Sequence, residues 1–413
     1  MNILLIHQYF LEEDDPGGSR FNEMTKTWSE MGHNITVLAG MMHYAGHKKR
    51  PEYKGKWITK RKQGKTTVWR CFVSESYNVN FLGRLWGYLS FVISSFWAGL
   101  FKAKGKYDVI LVTSPPLFIG ITAYLLSLFK RTPYIFEIRD LWPESAIDTG
   151  VIKNKTLIKV AYWVENFLYK KAMAINVLTP AFREKLIEYK KVPQSKIIFI
   201  PNAADFTLSD DLLMSFDPKQ FRREQGVDGK FIITYVGAHG VANHLIQLIE
   251  TAELLKEYPI LIQLIGDGME KPKLVREAER RGLDNIKFVD PVPKKDVFKY
   301  IMASDVGASV LKKVDTFKTI YSNKTFDYMA CKKPILMVID GISRALIEEA
   351  NCGVYAEPED HKAIATAILS LYENNHENDD IGNNGYQFAK ENFDRNVLAR
   401  KYVKEIEERT NNR

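Results

Sequence analysis

Residues 231–240 read Phe-Ile-Ile-Thr-Tyr-Val-Gly-Ala-His-Gly, and their reading decides the fold. Six β-branched or aromatic residues end in a glycine turn, and helical periodicity resumes at about Asn243. Strand, glycine, helix is how a parallel α/β unit opens. The N–H groups at the helix start then face whatever anion lies beyond the strand end. The same alternation repeats outward in both directions. Downstream runs are Ile260–Ile265, Asn285–Val289, Val306–Val310 and Pro334–Ile339. Upstream runs are Asn2–Ile6, Ile35–Ala39, Val68–Val73, Asp108–Thr113, Pro133–Ile138, Ala174–Leu178 and Lys196–Ile200. Each series suffices for its own parallel sheet with helices on both faces, so the fold class is α/β with two doubly wound domains.

Length agrees, since 413 residues suit two cores rather than one. The expected division is 1–203, then 204–384, with 204–230 read as a polar linker. A C-terminal helix, 385–413, carries an apolar stripe that includes Tyr386, Phe393, Leu398 and Tyr402. Three cysteines without paired spacing exclude a disulfide scaffold and speak against a zinc site, so a reducing cytosol fits best. The N-terminus reads as a first buried strand, lacking the basic segment of a signal peptide. No Asp-x-Asp follows a strand, and the acidic clusters Glu12–Asp15 and Asp379-Asp380 read as solvated loops, so no metal is expected.

Ligands of open parallel sheets sit beyond the carboxyl ends of the strands, so the loops there hold the candidate residues. Gly17, Gly18 and Arg20 follow the first strand, without the three-glycine spacing of the dinucleotide fingerprint. Gly237, His239 and Gly240 follow the strand that opens the second domain, and Gly266 and Gly268 follow the next one. The stretch Phe288–Pro293, which includes Val292, is where a base would meet backbone groups. Ile320, Tyr321, Ser322 and Asn323 lead into a helical run. Its N–H groups and Lys324 suit a β-phosphate, and Asp327 suits a ribose. Taken singly, these features also read as tight turns and a solvated helix face.

In this order the motifs become specific. Thr113-Ser-Pro-Pro116, Glu137-Ile-Arg-Asp-Leu-Trp-Pro143, Pro201-Asn-Ala203, the glycine loops and Asn323-Lys-Thr-Phe-Asp-Tyr-Met-Ala330 resemble family 4 retaining glycosyltransferases of the GT-B fold. The match is nearest to the subgroup that adds amino sugars such as N-acetyl-L-fucosamine to bacterial O-antigen or capsule. The resemblance implies two Rossmann-like domains facing across a cleft, with a UDP-sugar donor on the C-terminal one. It implies an acceptor on the N-terminal one, a C-terminal helix crossing back, and a metal-independent reaction. Front-face attack is implied too, with the departing phosphate helping to take the acceptor proton. Asp140 is the acceptor-side carboxylate, as base or orienter. Arg139 is placed on an acceptor pyrophosphate, and Lys324 on the leaving group. Two departures stand out. The family's two glutamates are here Thr319 and Asp327, and an Arg of the family's phosphate loop is here His239.

Charge is uneven. Residues 1–205 hold 29 Lys+Arg against 17 Asp+Glu, and the remaining residues hold 29 against 33. Residues 48–70 carry ten Lys+Arg and one Glu, and residues 85–101 follow without any charge. That apolar run is shorter than a membrane span and lies between two strands of one sheet. Segment 48–102 is therefore expected to face an anionic bilayer peripherally, at the cytoplasmic face of the inner membrane, where a polyprenyl-diphosphate-linked sugar would be the acceptor. A buried core helix beside a solvated basic loop is the plainer alternative. No nucleic-acid module accompanies the charge, so no nucleic-acid partner is expected. Two other functions stay open, a nucleotide-sugar epimerase of the same architecture and a catalytically silent sugar-nucleotide-binding subunit.

Overall fold

A computed structural model describes every residue except 14, 16–19, 43–48, 79–80, 149, 151, 412 and 413. The chain forms two compact units. One holds Met1–Asp15, Ser19–Pro201 and Asn396–Arg413, and the other Asn202–Arg395.

The first unit contains β1 (Asn2–Ile6), β2 (Asn34–Gly40), β3 (Ile58–Gln63), β4 (Thr66–Cys71), β5 (Val109–Ser114), β6 (Tyr134–Ile138), β7 (Ala174–Val177) and β8 (Ile197–Phe199), in the order β3-β4-β2-β1-β5-β6-β7-β8. The second contains β9 (Phe231–Val236), β10 (Ile260–Ile265), β11 (Ile286–Val289), β12 (Val306–Val310), β13 (Ile335–Val338) and β14 (Gly353–Tyr355), in the order β11-β10-β9-β12-β13-β14. Predominantly apolar strands such as β5 and β6 are buried at every position, as strands covered on both faces must be. The two doubly wound α/β domains expected from the sequence are those observed.

Helices α1 (Arg20–Glu30), α2 (Phe81–Trp97), α3 (Ile119–Lys130), α4 (Glu144–Asp148) and α5 (Lys155–Lys171) belong to the first unit. Against α1 lies the last helix, Arg395–Asn411. The Trp28 indole donates to the Ala399 carbonyl at 2.7 Å, and its ring meets Tyr402 edge-on at 5.8 Å.

Four expectations change. Part of the basic stretch 48–70 is not a loop: β3 pairs antiparallel with β4 as a hairpin at the sheet edge. Its period-2 pattern is hidden in sequence because lysines occupy the outward positions. The polar segment 204–230 contains two helices, Phe206–Ser215 and Pro218–Glu224, the second capped by the Asp217 carboxylate. The chain rejoins the first unit at Asn396 rather than at Gly385. Helix Asn378–Asn392 packs in the second unit, where a Cβ on Gly382 would meet the Lys332 carbonyl at 2.1 Å. Glu12 and Asp15 are not solvated. Glu12 meets Arg70 at 2.8 Å and accepts from the Tyr53 hydroxyl, and Asp15 meets Arg50 at 2.6 Å.

Arg20 is buried and committed to the interior. It lies 3.2 Å from the fully buried Glu137 of β6 and donates to the carbonyls of Ile200 and Pro201. Asn176 of β7 donates to the other Glu137 oxygen at 2.9 Å. One ion pair thus ties α1, two strands and the segment after β8. Removing one partner leaves the other charge buried and uncompensated. Arg20→Met is therefore expected to destabilise the first unit by about 3–5 kcal/mol in urea unfolding, with nucleotide affinity unchanged.

Candidate functional site

The second unit places its glycine loops where the sequence put them, at the carboxyl ends of adjacent parallel strands β9 and β10. Gly237 N–H donates to the Ile265 carbonyl at 3.0 Å, and His239 N–H to the Asp267 carbonyl at 2.8 Å. A Cβ on Gly266 would stand 2.0 Å from the Gly237 carbonyl oxygen, and one on Gly268 would stand 2.5 Å from that of His239. Gly266 also has φ +141°, a region that side chains rarely adopt. The two loops interlock backbone to backbone, and only glycine permits it. Gly240 follows on the same loop, against Asn243.

Lys324 faces Gly237. A Cβ on Gly237 would meet Lys324 Cε at 3.3 Å and the Tyr235 hydroxyl at 3.3 Å. The ammonium lies 4.5 Å from the centre of the Tyr235 ring. Burial pulls it down to about 8, with the Asp327 charge opposing. No ion pair to it forms among the described residues, and its one neighbouring hydroxyl is that of Tyr235, at 3.5 Å. Its helix, Asn323–Ala330, is fixed from behind. The Tyr328 hydroxyl accepts from Val236 N–H at 3.1 Å and donates to the Ala308 carbonyl at 3.1 Å. The Tyr328 ring lies over Gly307, where a Cβ would collide at 2.2 Å. Ser322 at the N-cap makes no side-chain cap, and its carbonyl accepts from Thr325 N–H at 3.1 Å.

The remaining predicted donor residues divide. Asn323 is exposed, and Asp327 and Val292 are half-buried. Tyr321 stands edge-on to Phe326 and Phe393, and the Ile320 carbonyl accepts from Ser343, so both serve packing as well as position. Thr319 is buried and donates to the Thr316 carbonyl at 2.6 Å, a hydroxyl turned to its own backbone. His239 is fully buried, and among the described residues neither ring nitrogen has a hydrogen-bond partner. Burial, then the Lys271 and Lys324 charges, push its imidazole down to about 4, so it is neutral at physiological pH. Arg20 leaves the donor set, because its guanidinium is consumed by Glu137 and two carbonyls. Gly17 and Gly18 lie outside the described residues.

Lys271 escaped the sequence reading. Its ammonium donates to the Gly266 carbonyl at 2.9 Å and meets Asp290, whose side chain is exposed, at 2.7 Å. The signal was present, a lysine three residues beyond Gly268, but without a strand register it looks like any helix-start lysine.

In the first unit, Asp140 and Arg139 follow the carboxyl end of β6. Burial pushes the Asp140 carboxyl up to about 6, against a Ser145 hydrogen bond and the Arg139 charge. Arg139 is also close enough to hold His7 well below its usual value, after burial itself. His7 shares a 2.7 Å hydrogen bond with Thr113. A small pocket at the ends of β1, β2 and β4 is lined by Tyr9, Met41, Met42, Glu12, Arg50 and Tyr53, among others. Among the described residues, no three His, Cys, Asp or Glu side chains are placed to hold a metal ion.

Two measurements follow from this geometry. Gly266→Ala is expected to destabilise the second unit by about 2–4 kcal/mol, read by thermal unfolding. Lys324 is charged below about pH 8 and neutral above it. Affinity for a nucleoside diphosphate, measured by titration with UDP, is therefore expected to fall about tenfold between about pH 7 and about pH 9.5. Lys324→Arg should flatten that fall.

Comparison with known proteins agrees with this architecture. Residues 17–203 match the family described as Glycosyl transferase 4-like domain, and residues 217–388 match Glycosyl transferases group 1. The putative colanic acid biosynthesis glycosyl transferase WcaI of Escherichia coli (strain K12) is 24% identical over 399 residues, 94% of this chain and 95% of that one. The sucrose-phosphate synthase of Thermosynechococcus elongatus superposes with a TM-score of 0.74 at 16% identity, covering 98% of each chain. HepE of Anabaena, solved with UDP-glucose, gives 0.72 at 17% identity over 99% of this chain and 100% of its own. At these identities the structural likeness is one of fold, GT-B with two α/β domains. The two matched domain families, both of glycosyltransferases, together span most of the chain and support a glycosyltransferase of the family 4 type.

Proposed function

We propose that this glycosyltransferase moves a sugar from UDP to a polyprenyl-diphosphate-linked saccharide, with retention and without a metal, during assembly of a bacterial surface polysaccharide. An N-acetylated amino sugar such as N-acetyl-L-fucosamine is the proposed cargo, on the strength of the motif resemblance. What carries the reading is Lys324: a half-buried ammonium without an ion-pair partner among the described residues, beside interlocked glycine loops and a helix start without a side-chain cap.

Breaking the bond to UDP leaves charge on the β-phosphate. Preorganised N–H dipoles and a lysine are what stabilise that charge. With Arg20 engaged elsewhere and His239 neutral, Lys324 is the principal cation of the proposed donor site, supported by Lys271. The proposed donor residues Lys324, Lys271 and the glycine loops all lie in the second unit. Relatives support the wider setting: WcaI bears a colanic acid name, and HepE was solved with UDP-glucose. Asp140 is the proposed acceptor-side carboxylate. Held at about 6, it is ionised at neutral pH yet basic enough to accept a hydroxyl proton or orient it. The reaction is placed at the cytoplasmic face of the inner membrane, where the acceptor would reside.

The test is release of UDP from UDP-N-acetyl amino sugars in the presence of a lipid-diphosphate saccharide. Lys324→Ala is expected to abolish UDP binding in a thermal-shift assay. Asp140→Asn is expected to lower turnover by about 10²-fold or more. Wild-type turnover should fall on the acid side with an apparent midpoint near 6, as the carboxylate protonates. Because Asp140 is ionised at a cost to the fold, the Asn variant should melt no lower than wild type, which separates lost chemistry from lost structure. Unchanged turnover in Asp140→Asn would remove it from the reaction. UDP-sugar consumed with an epimerised nucleotide sugar, and no transfer, would replace the transferase reading.

A further inference from the structure

Helices α2, α3 and α5 pack side by side on one face of the first sheet, and their outer surface is apolar. Trp86, Trp97, Phe101, Leu128, Phe129 and Trp163 are each between 48% and 68% exposed. They are not scattered. Trp97 and Phe101 lie 4.6 Å apart, Phe96 of α2 reaches Phe129 of α3 at 5.8 Å, and Tyr124 of α3 reaches Phe167 of α5 at 4.8 Å. Trp163 stacks on Phe167 at 5.8 Å. A soluble surface rarely carries so many contiguous aromatics without a partner for them.

The charge around this face has one sign. Between Ser76 and Phe136 the sequence holds six Lys+Arg and a single acidic residue, Asp108. Asp108 is occupied by the Asn2 N–H at 2.6 Å. Lys102, Lys104 and Lys106 follow Phe101 and are exposed, and Lys130 and Arg131 follow Phe129. Lys130 donates to the Ala103 carbonyl at 3.0 Å, which brings the two basic ends together. Lys155 and Lys159 are exposed on α5. Among the described residues no helix is long and apolar enough to cross a membrane.

The geometry points to this three-helix face as the docking surface for an anionic lipid bilayer. The aromatic rings enter the headgroup boundary and the lysines at the helix ends meet lipid phosphates. The basic hairpin β3–β4 is not the anchor. Its arginines are engaged within the unit, Arg61 3.7 Å from Glu52 and Arg70 2.8 Å from Glu12, and its exposed lysines have one exposed aromatic beside them, Trp57, rather than a contiguous aromatic surface. The inference deepens the proposed membrane-borne acceptor, yet its test needs neither donor nor acceptor.

The full-length protein is sedimented with phosphatidylcholine–phosphatidylglycerol vesicles and with phosphatidylcholine alone. Binding to the anionic vesicles is expected, weakened but not abolished by high salt. The combined variant W97S/F129S/W163S, all at exposed positions, should lose about tenfold or more in vesicle affinity, while its UDP-induced thermal shift stays as in wild type. K60Q/K62Q on the hairpin should bind like wild type. Three results overturn the proposal: no wild-type binding to anionic vesicles, loss of binding only in the hairpin variant, or a wild-type dimer that W97S/F129S/W163S converts to monomer without altered vesicle binding. The last would assign the face to a second copy of the chain. Failure of UDP binding in the wild type would count against the donor reading and leave this one standing.

Discussion

Two backbones pass within contact distance where the loops after β9 and β10 meet, and the rest of the candidate donor site is arranged around that approach. Gly266 and Gly268 lie against the carbonyls of Gly237 and His239 with no room for a methyl group. Because the loops are locked, the space above Gly237 stays open for Lys324. Tyr328 then fixes the lysine's own helix through one hydroxyl that accepts from β9 and donates to β12. Chemistry at this point rests on packing that starts a full turn away, with a tyrosine lying over Gly307.

Strand and helix alternation was legible because strands buried on both faces are predominantly apolar and β-branched, as β5, β6, β9 and β10 are. The glycine loops were legible because they punctuate those strands. What escaped was anything whose meaning depends on a distant partner. Arg20 looks like a phosphate ligand beside two glycines, and only Glu137, more than a hundred residues on, turns it into an interior tie. Glu12 and Asp15 look solvated until Arg70 and Arg50 are brought to them. The helices over 206–224 escaped because their apolar face is brief and rests on the second unit's core. Lys324 and Asp327 were legible as a pair; the lysine's depressed proton affinity was not, being a property of burial.

The two units divide their charge to match their proposed tasks. In the second unit, acidic in balance, two cations are placed at the glycine loops: Lys324 by Tyr235 and Lys271 on the Gly266 carbonyl. The first unit's excess of positive charge is spread along helix ends, beside aromatics that have no interior to enter. Concentrated charge suits the recognition of one small anion, and dispersed charge suits an extended surface.

The hairpin that looked like a membrane anchor has another consequence. β3 is the outermost strand of an eight-stranded sheet, so one row of its peptide groups lacks a neighbouring strand. Lys60 and Lys62 are exposed along it, and the opposite edge, β8, is only three residues long. A flat apolar strand in that position would template a second chain, edge to edge. The lysines make such an approach bring like charges together, so the sheet ends where it does and the protein can reach working concentrations without polymerising through its own core architecture.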